Sequence, residues 1–164
     1  HFIFTCNAGK LPPDHWLLNE VKGGGRLLGE ACHFIDLLRY LSNSKIDQII
    51  NFPVDDLNQS FYLNLKFKNG SSGCIQYLSN GSNSYPKERL EVFIAGKVFQ
   101  INNFINIKSW GNFAFKSKKL FKQDKGQEAC IKEFIKAIKD GGPSPIPIEE
   151  IFEVQSKILT CLNK

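Results

Sequence analysis

Apolar and polar residues alternate strictly over 61–67, where Phe61, Leu63, Leu65 and Phe67 share one face. That period of two marks a strand with a single buried side. Lys68-Asn69-Gly70 follows as an Asn-Gly turn and 73–78 runs back, so a hairpin is predicted. Similar alternation marks 2–8 and 46–54, the latter ended by Pro53. A second hairpin is expected where Gly96-Lys97 joins 89–95 to 98–101, with a short further strand over 104–107. Five or six strands joined mostly by turns predict a mainly antiparallel sheet.

The period lengthens to that of a helix at about 26–41, where Leu27, Leu28, Ala31, Phe34, Ile35, Leu38 and Leu41 form one stripe. Two more helices are predicted near the other end. Ile131, Phe134, Ile135 and Ile138 mark the first, ending at Gly141-Gly142. Ile148, Ile151, Phe152, Ile158, Leu159 and Leu162 mark the second, and Pro143, Pro145 and Pro147 keep the two apart. The expected fold class is α+β, an open-faced sheet with helices on one face. Pairing of the open faces would bury them in a homodimer.

Chemistry concentrates where Gly23-Gly24-Gly25 opens into the first helix. Glycines at 24 and 25 let backbone approach a ligand closely. At 100° per residue Arg26, Glu30 and His33, at i, i+4 and i+7, fall on one face, opposite the apolar stripe. Arg26 is a candidate fork for a carboxylate or phosphate. His33 is a candidate acid/base. Asn7, Lys10 and Trp16 come from the strand end and loop before the glycines and are candidates for hydrogen bonding or stacking against a substrate. Cys32 and His33, as helix neighbours, point about 100° apart, which argues against a thiolate–imidazole pair. A metal site from Glu30, Cys32 and His33 fails for the same reason, and no metal is expected.

Composition narrows the class. The chain has 164 residues and a formal net charge of +5, enough for one domain with a core. No apolar run reaches the roughly 20 residues of a membrane span, and the opening residues lack the pattern of a secretory signal. The expected compartment is the cytoplasm. The 5 cysteines are odd in number and widely spaced, which reads as mostly buried thiols rather than a disulfide framework. Lys116, Lys118, Lys119, Lys122 and Lys125, interleaved with Phe113, Phe115 and Phe121, read as a solvated basic segment. Nucleic acid is the less favoured reading of it. No G-x-G-x-x-G follows a strand, so no dinucleotide-binding unit is expected in this chain.

Asn7-Ala8-Gly9, Asp14-His15-Trp16, the run from Gly23 to Asp36, the segment 85–91 and the ending 141–147 together resemble the C-terminal domain of the Gfo/Idh/MocA oxidoreductases. The likeness is to the subgroup associated with surface polysaccharides. It implies that residues 1–164 are one substrate-binding and dimerising domain of an NAD(P)-dependent enzyme acting on a sugar, nucleotide sugar or cyclitol hydroxyl. NAD or NADP would be bound mainly by an N-terminal Rossmann domain absent from this chain, so the chain alone is expected to be inactive and no cofactor-binding residue is assigned to it. His33 matches the family's proton acceptor. The family's aspartate, four residues earlier, is Gly29 here, leaving Glu30 or Asp36 as neighbouring replacements. The alternative is a binding or scaffold module that keeps the fold without the chemistry.

Overall fold

A computed structural model describes residues 1–19, 21–55, 59–111 and 114–162. In chain order the elements are β1 (Phe2–Asn7), α1 (Gly25–Gly29), α2 (Ala31–Ser42), β2 (Ile46–Pro53), β3 (Phe61–Phe67), β4 (Ser72–Leu78), β5 (Glu88–Ile94), β6 (Lys97–Asn102), β7 (Asn106–Trp110), β8 (Ser117–Lys119), α3 (Gln127–Asp140) and α4 (Ile148–Leu162). All strands lie in one 8-stranded sheet of order β2-β3-β4-β1-β5-β6-β7-β8.

The α+β class and the two hairpins hold, but the strand count and direction need correction. Eight strands form rather than five or six, and β1 pairs parallel with β4, Phe2 opposite Gly73 and Asn7 opposite Leu78. Alternation alone carries no strand direction, and β8 is three exposed polar residues that no apolar pattern marks. The helical connection after β1 allows the parallel pairing, because a two-residue turn cannot join parallel strands. In the second hairpin the turn is Ala95-Gly96, one residue earlier than expected, with both residues at positive φ.

The core forms on the helix-covered face. Phe4, Leu63, Ile75, Tyr77, Ala31, Ile35, Leu38 and Ile158 are fully buried, and Phe61 stacks on Tyr77 with ring centres 4.8 Å apart. Burying side chains of this size contributes about 1.5–3 kcal/mol each. Val154, Ile158 and Cys161 seat α4, whose Glu150 and Glu153 both bind Arg39 of α2, at 2.7 and 3.3 Å. Leu41, expected in the apolar stripe, is exposed just before α2 ends at the left-handed Asn43.

The single helix expected over 26–41 is two. Glu30, at φ −125° and ψ −36°, ends α1 and precedes α2. This break reorients every residue on its N-terminal side. Of the cysteines, Cys6 and Cys161 are buried, Cys32 and Cys74 half-buried, and Cys130 exposed; all are free thiols. No helix among the described residues is long and apolar enough to cross a membrane.

Candidate functional site

The parallel pair brings the carboxyl ends of β1 and β4 to the same edge, the place where chains leaving a sheet open a crevice. Asn7 ends β1. Its amide Nδ2 donates to the carbonyls of Ser82 at 2.7 Å and Tyr85 at 3.4 Å, fastening the loop after β4. Asn7 thus holds that loop with the amide that the sequence offers to a ligand.

A buried polar chain runs through Arg26, Tyr77 and Glu30. Arg26 is only 2% exposed. Its Nη1 donates to the Tyr77 hydroxyl at 2.5 Å and its Nη2 to the Gly9 carbonyl at 2.7 Å. The guanidinium carbon lies 5.3 Å from the centre of the Tyr77 ring. Tyr77 in turn donates its hydroxyl proton to Glu30 Oε2, and Glu30 Oε1 sits 3.9 Å from Arg26 Nη1. Burial, followed by the hydrogen bond to Glu30, holds the Tyr77 phenol well above its ordinary range, so it stays a donor.

The expected common face of Arg26, Glu30 and His33 is therefore not what forms. The break at Glu30 turns Arg26 inward, and both terminal nitrogens of the expected substrate fork are engaged inside the protein. Glu30 stands at the boundary, its carboxylate partly exposed and one oxygen held by Tyr77. His33 is exposed on the first turn of α2, where its backbone N–H reaches the Glu30 carbonyl at 3.3 Å. No side chain among the described residues hydrogen-bonds its ring, which leaves the imidazole open to an outside group.

The glycine run shapes the approach. A Cβ at Gly23 would lie 2.4 Å from the Leu17 Cα, so this position admits glycine alone, whereas beside Gly25 (φ +79°) there is nothing within 4 Å. Gly25 offers bare backbone to open space; Gly24 is half-buried against Leu28. Gly29 faces Leu17, whose Cδ1 would be 2.6 Å from an added Cβ. An aspartate there requires Leu17 to move.

Trp16 is 60% exposed with its ring 5.8 Å from that of His15, and Lys10 is exposed. The His15 ring caps the turn over Trp16–Leu18 by accepting from the Leu17 N–H at 3.2 Å. Asp36, one turn beyond His33, borders a cleft of about 580 Å³ between the end of α2 and the proline connector, facing Arg39, Tyr40, Ile146 and Glu150. Burial pushes its carboxyl above the usual range, opposed by Arg39. In the basic segment Lys125 pairs with Glu88 at 2.6 Å, while Lys118 and Lys119 line the edge strand β8, where lysine discourages further pairing. Phe113 lies outside the described residues.

Tyr77 and Gly9 are the members that sequence reasoning missed. Tyr77 looks like one more apolar position of an alternating strand. Its only signal is a hydroxyl that burial obliges to find a partner.

No family model matches the chain, and no curated protein matches it. Solved structures do. Over 99% of its length the chain superposes on a dehydrogenase from Clostridium difficile at TM-score 0.76 and 19% identity, covering 53% of that protein. An aldose-aldose oxidoreductase from Caulobacter crescentus, complexed with glycerol, gives TM-score 0.78 at 15% identity over 99% of the chain and 52% of the relative. A UDP-N-acetylglucosamine 3-dehydrogenase from Acidithiobacillus ferrooxidans gives 0.75 at 12% over 98% and 51%. The chain spans about half the length of these structures. What it shares with these dehydrogenases and oxidoreductases is the fold of the part it covers.

Proposed function

We propose that this chain is the substrate-binding half of an NAD(P)-dependent oxidoreductase acting on the hydroxyl of a sugar or nucleotide sugar. The observation that carries the reading is the exposed imidazole of His33, which no described side chain hydrogen-bonds, on the helix that follows Glu30 and the uncrowded backbone of Gly25. The fold in which this occurs is one found in sugar and nucleotide-sugar oxidoreductases.

The chain's own residues do not fit the main dinucleotide site. Gly23 to Gly25 follow a 3-10 turn rather than a strand, and the helix they open is 5 residues long, too short to present an anion site. A nicotinamide, when bound by another half, supplies the hydride acceptor. The role left to this chain is proton transfer and placement. His33 takes the hydroxyl proton as the carbonyl forms, its imidazole acting as the general base. Glu30, steadied by Tyr77 and Arg26, supplies the carboxylate beside it that the family pattern has at position 29. Trp16 and Lys10 flank the sugar, and Gly24 and Gly25 admit it close to the main chain. The open sheet face, with Ile50, Phe52, Tyr62, Phe93 and Trp110 exposed, forms a homodimer by isologous pairing.

The test is cofactor reduction by the complete reading frame with UDP-N-acetylglucosamine and free aldoses, wild type against His33→Ala. The expected loss is about 10²- to 10⁴-fold in kcat; equal turnover removes His33 from the mechanism. A second reading, a binding module without chemistry, is favoured by one observation, the crowding of Gly29 against Leu17. It predicts sugar binding with no cofactor reduction by either protein.

A further inference from the structure

The chain leaving β1 is held down by two buried side chains that lie far from it in sequence. The Gly9 carbonyl accepts from Arg26 Nη2 at 2.7 Å. Two residues on, Leu11 is gripped by Gln59, just before β3. Its N–H donates to Gln59 Oε1 at 2.9 Å and its carbonyl accepts from Gln59 Nε2 at 3.3 Å. A primary amide that meets both polar groups of one residue copies the exchange of bonds across an antiparallel pair, so it fixes that residue in rotation as well as in place. Gln59 is itself 2% exposed, and its own N–H is tied to Asp55 Oδ1 at 2.8 Å. Burying an amide is costly unless both of its ends are paired, and here both ends are spent on a single loop residue.

The rest of the loop is equally restrained. Pro12 and Pro13 follow with φ fixed by their rings, and the His15 N–H closes a turn onto the Pro12 carbonyl at 3.0 Å. Leu17 then packs against Gly23 and Gly29. What the loop presents between its first two anchors is Lys10, exposed, with a tethered residue on either side. No carboxylate among the described residues pairs with its ammonium. The guanidinium that holds the Gly9 carbonyl also lies 3.9 Å from Glu30 Oε1. One buried group therefore reaches from the backbone beside Lys10 to the carboxylate that precedes α2.

We propose that Gln59 is a positioning residue of the substrate site: with Arg26 on the other side, it holds the backbone around Lys10 so that the ammonium meets the oxygen atoms of the sugar without the loop having to order on binding. The inference rests on the function proposed above and adds to it a residue that touches no substrate. A slack loop would have to be ordered at each encounter, a cost that appears in KM rather than in kcat.

The experiment is a double-mutant cycle on the complete reading frame. KM and kcat are measured for cofactor reduction, and on the same proteins the Kd of UDP-N-acetylglucosamine and of free aldoses is followed by tryptophan fluorescence. Gln59→Met keeps the length of the side chain and removes both bonds to Leu11; Lys10→Ala removes the ammonium. Each is expected to raise KM and Kd about 10-fold with kcat within about two-fold of wild type, and the double variant is expected to do no worse than Lys10→Ala alone, because slack in the loop acts only through the group it carries. Unchanged KM and Kd in Gln59→Met, a fall in kcat alone, or losses that multiply in the double variant would each overturn the proposal, the last by showing that the clamp serves the fold and not Lys10. Gln59→Asn, which draws the amide back by one methylene, carries the same expectations if the methionine variant does not fold. Wild type alone supplies a further check: the Leu11 amide is expected to exchange its hydrogen at least about 100-fold more slowly than unstructured peptide, and fast exchange there also overturns the clamp. Turnover with a KM indifferent to Gln59 discards the positioning alone. Coupled losses in Kd without cofactor reduction by any of the proteins uphold the positioning and discard the proposed activity, and a wild type that binds none of these sugars overturns both.

Discussion

Replacing Tyr77 with phenylalanine removes one oxygen from the middle of a buried charge pair. That hydroxyl accepts from Arg26 at 2.5 Å and donates to Glu30, and a hydrogen bond to a charged partner contributes about 1.5–3 kcal/mol. Losing two of them would cost more than the variant will show. The guanidinium and carboxylate are already within 3.9 Å and can close on each other once the oxygen has gone. The Gly9 carbonyl keeps its bond to Nη2. A net loss of about 2–3 kcal/mol is expected, which for a domain of this size is a fall of about 5–10 °C in melting temperature. Urea unfolding followed by tryptophan fluorescence measures it. The alkaline limb gives an independent check. The unfolded phenol ionises near 10.0 while the folded one is held higher, first by burial and then by Glu30. The folded state retains a proton that the unfolded chain releases, so wild-type stability contains a contribution that is complete below that value and declines above it. Tyr77→Phe lacks this contribution. A loss below about 0.5 kcal/mol, or an alkaline limb identical in both proteins, would refute the buried chain as described.

Gly23→Ala places a methyl group 2.4 Å from the Leu17 Cα and 2.5 Å from its carbonyl oxygen, so a loss of about 2–4 kcal/mol is expected in urea titration. Asp36→Asn should raise stability at neutral pH. The carboxyl is lifted above 3.8, chiefly by burial, and its favourable contribution exists only below that value and is lost as it ionises in the folded state. The advantage of asparagine should therefore vanish in acid, and a destabilised variant at pH 7 would contradict this. Among the thiols, Cys130 should react first with a disulfide reagent and Cys6, buried and pushed up to about 12, only on unfolding. Mass spectrometry of the labelled protein orders them.

Strand alternation over 61–67 and the Asn-Gly turn made the central hairpin readable, because a one-sided strand and a left-handed turn residue each leave a local mark. The proline connector and the terminal helices were readable for similar reasons. Parallel pairing of β1 with β4 was not, since it joins residues such as Thr5 and Gln76 across more than two whole strands. The site was legible in part. Its glycines and His33 stand where the loop-to-helix reading put them, but the common face of Arg26 and His33 presumed an unbroken helix. Glu30 breaks it, drawn to a tyrosine far along the chain. Long-range polar partners of this kind override a helical period without altering it.

The parallel seam also sets an order of assembly. Strand β1 lies at the middle of the sheet, yet its parallel partner is synthesised only after both helices and two further strands. Local hairpins close in microseconds, whereas distant pairings must first meet the entropy of a large loop. Of the described strands, the first in chain order is therefore among the last to be secured. Until β4 emerges, Phe2, Phe4 and Cys6 remain an apolar edge in search of a neighbour, and nascent chains halted before Leu78 should be the ones that chaperones hold longest.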